Sequence, residues 1–387
     1  MIQTADRLGN VQEYYFSKKL RQIAELNAEG YGIMNLGIGS PDRMPDAKVI
    51  ETLSKESAIA GNHGYQSYKG IPELRQAFAH WYDRWFGVQV DADTDILPLI
   101  GSKEGIFHIA MTYLNPGDGV LVPNPGYPTY EAASRLTGAE IVSYDLEEHL
   151  GWVPDLDKLA SKKNLKNVKL MWTCFPNMPT GSRVDLGFWE ELVALAKAHD
   201  FVVCNDNPYV FVLNDRPMSL LEAGLNDQVI ELTSLSKSYN MAGWRVGAAV
   251  STKVHIQNIL RFKSNLDSGT FLPTQKAASV ALALGEEWFH ELNKEYEQRK
   301  ILACQLLDLL SCSYDEDQVG MFVWAKVNED VTSVEEWLDE LMMGARIFIS
   351  PGFIFGDNGL RYIRVSLCTQ QSDFEEAIAR VKKFLQP

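Results

Sequence analysis

Apolar runs alternate with helical patterns through the middle of the chain. Short, almost unbroken Val/Ile/Leu-rich stretches at residues 96–100, 119–123, 141–144, 168–174, 201–206, 229–234 and 246–251 read as strands buried on both faces. Between several of them apolar positions recur at helical spacing, as over residues 187–199. Buried strands separated by helices predict an α/β architecture: a large domain, residues 45–275, with a mostly parallel central sheet flanked by helices. In such sheets ligands settle at the carboxyl ends of the strands. From about residue 275 the pattern changes to two long helical stretches, 274–285 and 286–311, followed by strand, helix, strand, strand and helix. That order predicts a smaller α+β domain, residues 276–387, which the N-terminal segment 1–44 joins.

Length agrees with two lobes, because 387 residues exceed the ~250–300 at which single cores stop growing. The charge balance narrows the choice of partners. A net charge of −15 repels phosphate backbones and anionic lipid surfaces, so neither nucleic acid nor membrane is expected as a partner. The five cysteines form no C-x-x-C pair and sit mostly in apolar runs, as thiols in a reducing compartment do. The first residues lack an apolar signal core, and no run approaches the ~18 apolar residues of a membrane span. A cytoplasmic location is expected.

Three strand ends carry candidate chemistry. In LPLIGSKEGIFHIAMTYL (97–114) a strand turns at Gly101-Ser102 into a helix, which reads either as a simple Ser cap or as an anion site built from free N–H groups and the helix dipole. In FVVCNDNPYVFV (201–212) an apolar strand ends in Asp206, with Tyr209 three residues on; the carboxylate either caps a turn or meets a cationic or donor partner. In SLSKSYNMAGWRVG (234–247) Lys237 follows a strand, with Arg245 eight residues later. Most lysines on loops are simply solvated, but burial beside a like charge frees the amine for Schiff-base chemistry. Ser234, Ser236 and Arg245 add phosphate donors. One ligand satisfies all three ends if it brings a phosphate, a carbonyl and a cationic ring nitrogen, and pyridoxal phosphate has these handles.

Five motifs in chain order carry a resemblance that covers essentially the whole chain: LGIGSPD (36–42), YQSYKGIPELRQA (65–77), FPNMPTG (175–181), NDNPY (205–209) with SLSKSYNMAGWRVG, and GLRYIRVSL (359–367). The chain resembles the fold type I, class I/II pyridoxal-phosphate aminotransferases, and in motif form the alanine and LL-diaminopimelate branch. The resemblance implies an amino-acid:2-oxo-acid aminotransferase that works by ping-pong half-transaminations through a Lys237 Schiff base, with glutamate and 2-oxoglutarate as one pair. It makes Lys237 the proton carrier, Asp206 the partner of the pyridine nitrogen and Tyr209 the donor to the ring's phenolate oxygen. Tyr127 would stack on the ring, while Ser102, the Lys103 backbone, Ser234 and Arg245 would hold the phosphate. Tyr65 would reach the phosphate of a partner subunit, which implies a homodimer with shared sites. Arg364 would clamp the substrate α-carboxylate beside the Gly39 backbone. Arg361, the competitor, falls on the opposite face of an alternating strand. The resemblance calls for no metal.

One position departs from the family pattern. Met178 stands where an asparagine usually precedes Pro-Thr-Gly, and a thioether cannot donate to the phenolate. Either Asn177 turns inward to bind the cofactor, or Tyr209 stands alone. A lyase or decarboxylase on the same scaffold is the alternative activity, and a non-catalytic regulator is the alternative outside enzymes. The side-chain pocket of the substrate is expected to include the loops at 30–42 and 265–271.

Overall fold

The computed structural model describes residues 2–9, 13 and 15–386. Seven strands build the main sheet: β1 (Ile96–Leu99), β2 (Gly119–Asn124), β3 (Glu140–Asp145), β4 (Val168–Thr173), β5 (Val202–Asp206), β6 (Val229–Ser234) and β7 (Gly247–Ser251). Their spatial order is β1-β7-β6-β5-β4-β2-β3. Neighbours from β6 to β3 pair in parallel, while β7 is antiparallel to both β6 and β1. The predicted α/β sheet is therefore present, with one reversed strand that apolar runs alone do not reveal. β6 is buried at every position, as a strand covered on both faces must be, whereas the edge strand β3 is mostly half-exposed or exposed. Pro98 is tolerated in β1 because that strand is the other edge.

The helices named here are α1 (Tyr15–Ala28), α2 (Ser102–Tyr113), α3 (Pro128–Thr137), α4 (Leu186–His199), α5 (Lys253–Lys263), α6 (Leu272–Leu282) and α7 (Glu286–Leu309). Local chemistry fixes their ends. Asp185 caps α4 by accepting from Phe188 N at 2.9 Å. Proline opens α3, and Gly138, at φ 85°, ends it in the left-handed conformation. The two long helical stretches expected after residue 273 are α6 and α7, each ending two or three residues earlier than the pattern suggests.

The C-terminal part holds a four-stranded antiparallel sheet of β8 (Ser313–Tyr314), β9 (Phe322–Lys326), β10 (Ser350–Pro351) and β11 (Tyr362–Ser366), in the order β10-β11-β9-β8. The N-terminal segment is stitched to it. Met34–Asn35 pairs in parallel with Ile347–Phe348, and Ser366 N donates to Leu36 O at 2.7 Å. Chain 36–39 is thereby delivered to the carboxyl edge of the main sheet. Cys174, Cys204, Cys312 and Cys368 are buried and Cys304 half-buried, all as free thiols. Among the described residues no helix is long and apolar enough to cross a membrane.

Candidate functional site

Strand direction decides which residues meet. β1, β2, β4, β5 and β6 all end at one edge of the sheet, and the reversed β7 starts there. Leu99 is opposite Gly247, Gly247 opposite Ser234, and Leu232 opposite Asp206. The segments that continue from these ends line a cavity of about 530 Å³, which contains Ser102, Lys103, Tyr127, Asp206, Tyr209, Ser234, Lys237 and Arg245, together with Gly39 and Arg364. Ten of the residues singled out from sequence are thus brought together.

Asp206 ends β5 with 4% exposure. Its Oδ2 accepts from Tyr130 Oη at 3.0 Å, and its Oδ1 is buried with no hydrogen bond from the described residues. Burial raises its carboxyl to about 6, against the pull of the Tyr130 and Ser102 hydroxyls and of Lys237. Tyr130 is itself fixed by stacking on Trp172, with centroids 5.4 Å apart. An acceptor buried and left open in this way suits a cationic ring N–H.

Lys237 follows β6 and donates from Nζ to Gly39 O. Burial pushes its ammonium below the ordinary lysine range, and Arg364 and Arg245 push the same way against Cys368 and Asp206. The neutral amine that a carbonyl requires is favoured accordingly.

The anion end is made by backbone and guanidinium together. Gly101, at φ 80°, precedes α2, and a Cβ there would stand 2.1 Å from Arg245 Nη2. Only glycine lets Arg245 lie across the helix start. Arg245 Nη1 donates to Ala242 O at 3.0 Å and to Ser236 Oγ at 3.3 Å, and Ser234 Oγ donates to Ser236 Oγ at 3.0 Å. Behind this turn Glu104 accepts from Ile100 N. The Glu104 carboxylate stands beside buried His108 at 3.0 Å, and Lys263 pairs with Asp267 at the same place. A carboxylate compensated by lysine makes this cluster a brace for the turn.

Arg364, on β11, is 4% exposed. Its Nη2 donates to Gly37 O at 2.7 Å, and its guanidinium lies 3.9 Å from the Phe322 ring centre and 4.7 Å from that of Phe355. Arg361 instead caps the carbonyls of Val331 and Asn328 away from the cavity, as the alternation of the strand requires. Gly39 passes so close to Phe322 that a Cβ would enter the ring, at 2.2 Å. The loop carrying Gly39 is anchored by Asp42, which accepts from Arg299 Nη1 and Nη2 at 2.7 and 2.9 Å.

Two expectations change. Asn177 does not line the cavity: its Nδ2 donates to Cys174 O at 3.2 Å, and its Oδ1 accepts from Thr180 N and Oγ1 at 3.2 and 2.8 Å. The turn takes its Oδ1 and one amide hydrogen and keeps the side chain out of the cavity, so Asn177 is corrected from a cofactor contact to a turn brace. Met178 does line the cavity, and its Sδ accepts from Arg364 Nη1 at 3.1 Å. Tyr65 is 93% exposed and lies outside this chain's cavity. Of the two loops expected around the substrate, 30–42 supplies Ile38 and Gly39, whereas 265–271 supplies nothing to the cavity of its own chain. Sequence reasoning also missed Tyr130, Phe16 and Leu20. Tyr130 closes the NPGYPTY stretch, and Phe16 and Leu20 share one face of α1 at four-residue spacing, a pattern that reads as ordinary packing.

Comparison with known proteins adds an independent finding. The family model for aminotransferase class I and II matches residues 31–381. The LL-diaminopimelate aminotransferase of Maridesulfovibrio salexigens is 39% identical over 383 residues, covering 98% of each chain, and that of Moorella thermoacetica is 36% identical over 387 residues, covering 99% of each. The substrate-bound structure of BacF from Bacillus subtilis superposes with a TM-score of 0.94 at 32% identity, over 99% of this chain and 98% of that one.

Proposed function

Because the chain belongs to the class I and II aminotransferases, and so is a pyridoxal 5'-phosphate-dependent transferase of amino groups, we propose that the cavity at the strand ends carries out both half-reactions, with Lys237 as the residue that bonds the cofactor and moves the proton. The observation that carries this reading is the convergence of Lys237, Asp206, Arg245 and Arg364 on one cavity. The cofactor, when bound, supplies a carbonyl for the amine and a ring that accepts electrons. The remaining work is assigned to side chains.

Arg245, Ser234, Ser102 and the backbone N–H of Lys103 would hold the phosphate, since the cradle in front of Gly101 has no room for a Cβ. Asp206, with one oxygen taken by Tyr130 and the other open, would keep the ring nitrogen protonated. Tyr209 would donate to the ring oxygen and Tyr127 would lie along the ring. Lys237, its ammonium disfavoured by burial, would take a proton from the substrate's α carbon and return it on the other side of the exchange. Arg364, its guanidinium immobilised between aromatic rings, would fix the α-carboxylate, with Gly39 beside it.

A homodimer with shared sites is supported by the exposure of Tyr65, Leu266 and Phe271, at 93, 60 and 42%. Their loops touch: a Cβ on Gly269 would lie 2.9 Å from Gln66 O and Ser67 O. Apolar surface gathered on two adjoining loops beside the anion end is what a second copy would cover. Five free cysteines fit a reducing compartment and support a cytoplasmic reading. A lyase or decarboxylase finds no support in the relatives, which are named as aminotransferases.

The test is Lys237→Ala. We expect a folded protein that still binds the cofactor noncovalently but loses the lysine-dependent visible absorbance, with amino transfer reduced at least ~10⁴-fold, as for other residues central to covalent catalysis. Substantial turnover by the variant would remove Lys237 from its role.

A further inference from the structure

We propose that the amino donor of this enzyme carries an uncharged, apolar or aromatic side chain, read by Phe16 and Leu20 of α1 together with Ile38. The inference rests on the aminotransferase reading and on Arg364 as the α-carboxylate clamp.

The cavity divides into two ends. Ser102, Ser234 and Arg245 occupy one, and Arg364 the other, held by Gly37 O and the Phe322 face. A substrate fixed at Arg364 with its α carbon toward Lys237 must send its side chain along the remaining wall. That wall consists of Phe16, Leu20, Ile38, Met178 and Phe322, with Ser17 at the mouth. Phe16 also reaches over Arg364, its ring centre 5.6 Å from the guanidinium carbon, so α1 roofs the clamp itself. Leu20 is 37% exposed, an apolar face that a bound apolar group would cover.

Among the described residues of this chain, none along that wall carries a charge. Among the described residues Asp206 is the one carboxylate lining this chain's cavity, and the proposed site assigns it to the ring nitrogen. A second ammonium on the substrate, as in diaminopimelate, meets no counter-charge from this chain along the wall. Lys103, the remaining cation besides Lys237, Arg245 and Arg364, lies one residue beyond Ser102 at the phosphate end, so a side-chain carboxylate finds no partner along the wall either. The cations on α1, Lys18, Lys19 and Arg21, do not line the cavity: Lys19 pairs with Asp339 at 2.6 Å and Arg21 with Glu13 at 2.9 Å. A charged group placed against such a wall loses its hydration without a replacement. The chain thus departs from the substrate named for its relatives at the end of the cavity where Met178 also departs from the family pattern.

The experiment uses the cofactor-loaded enzyme and two readouts. In single half-reactions followed by the conversion of cofactor absorbance to that of its amine form, L-phenylalanine, L-leucine or L-methionine is expected to exceed LL-diaminopimelate, L-aspartate and L-glutamate in kcat/KM by about 100-fold, the order that one misplaced group in a pocket produces. Leu20→Glu should reverse the order between leucine and LL-diaminopimelate. Calorimetry then measures binding without turnover: 3-phenylpropanoate should bind at least about tenfold more tightly than glutarate, and Arg364→Ala should weaken both. LL-diaminopimelate or a dicarboxylate as the best donor, or tighter binding of glutarate, overturns the proposal while leaving the aminotransferase intact. If no donor converts the cofactor, the aminotransferase reading itself fails, and the calorimetric comparison still decides the character of the wall.

Discussion

Asp206 is a carboxylate whose surroundings favour its neutral form until a cation arrives. Its folded value, about 6, lies above the unfolded one, so in the cofactor-free protein it contributes stability that is full below the ordinary carboxylate range and lost as pH rises through about 6. Binding of a protonated ring nitrogen requires the ionised form, so cofactor affinity should fall roughly tenfold per unit as pH drops below about 6. Dissociation constants measured at several pH values, with Asp206→Asn as the control for the cofactor's own phosphate, check this; an equal slope in the variant would acquit Asp206. Met178 makes a second prediction. With Asn177 committed to its turn, Tyr209 is left without that asparagine's help at the phenolate, and the more basic oxygen holds the proton on the Lys237 nitrogen to higher pH. In a spectral titration of the loaded enzyme, Met178→Asn should move the visible transition to lower pH.

These residues also indicate what a sequence discloses. Lys237, Asp206 and Arg364 were legible because each places an ionisable group at an apolar strand or its end, where burial without a purpose is expensive. Strand alternation put Arg364 and Arg361 on opposite faces, and the family pattern then picked Arg364. Asn177 misled because hydrogen bonding within a turn leaves no mark on spacing, and Phe16, Leu20 and Tyr130 were silent because an apolar or aromatic residue facing a cavity looks the same as one facing a core.

At the scale of elements, boundaries follow capping chemistry more closely than apolar periodicity does. α4 starts where Asp185 accepts from Phe188 N, so Asp185→Ala should lower the unfolding free energy by about 1 kcal/mol, seen as a shifted denaturant midpoint with unchanged slope and unchanged turnover. A larger loss, or loss of activity, would mean that the carboxylate does more than cap. The reversal of β7 had no signature in the sequence, since an apolar run carries no direction; yet that reversal is what lets Arg245 and Lys237 share an edge, with only the twelve residues between the paired Ser234 and Gly247 left to fold between the strands. We retain as a proposal the division into residues 45–275 against 1–44 with 276–387, which the pairing of Met34–Asn35 with Ile347–Phe348 supports for the N-terminal part.

For the whole molecule the exposed loop residues set the expectation. Leu266, 60% exposed beside Tyr65 and Phe271, should be covered in solution by a second copy. Sedimentation should report a dimer, and Leu266→Asp should shift it toward monomer with a matching fall in activity; a monomer that retained full turnover would show that one chain is sufficient.

The position of α1 has a further consequence. The helix proposed to roof the substrate belongs to a stretch of chain tied to the C-terminal part through Met34–Asn35, while the residues proposed for proton handling and cofactor grip follow the strand ends of the main sheet. On that proposal, appetite and chemistry are carried by separate pieces of the chain. Exchanging α1 with that of a relative, with the strand edge untouched, should then change the diet and leave the catalyst.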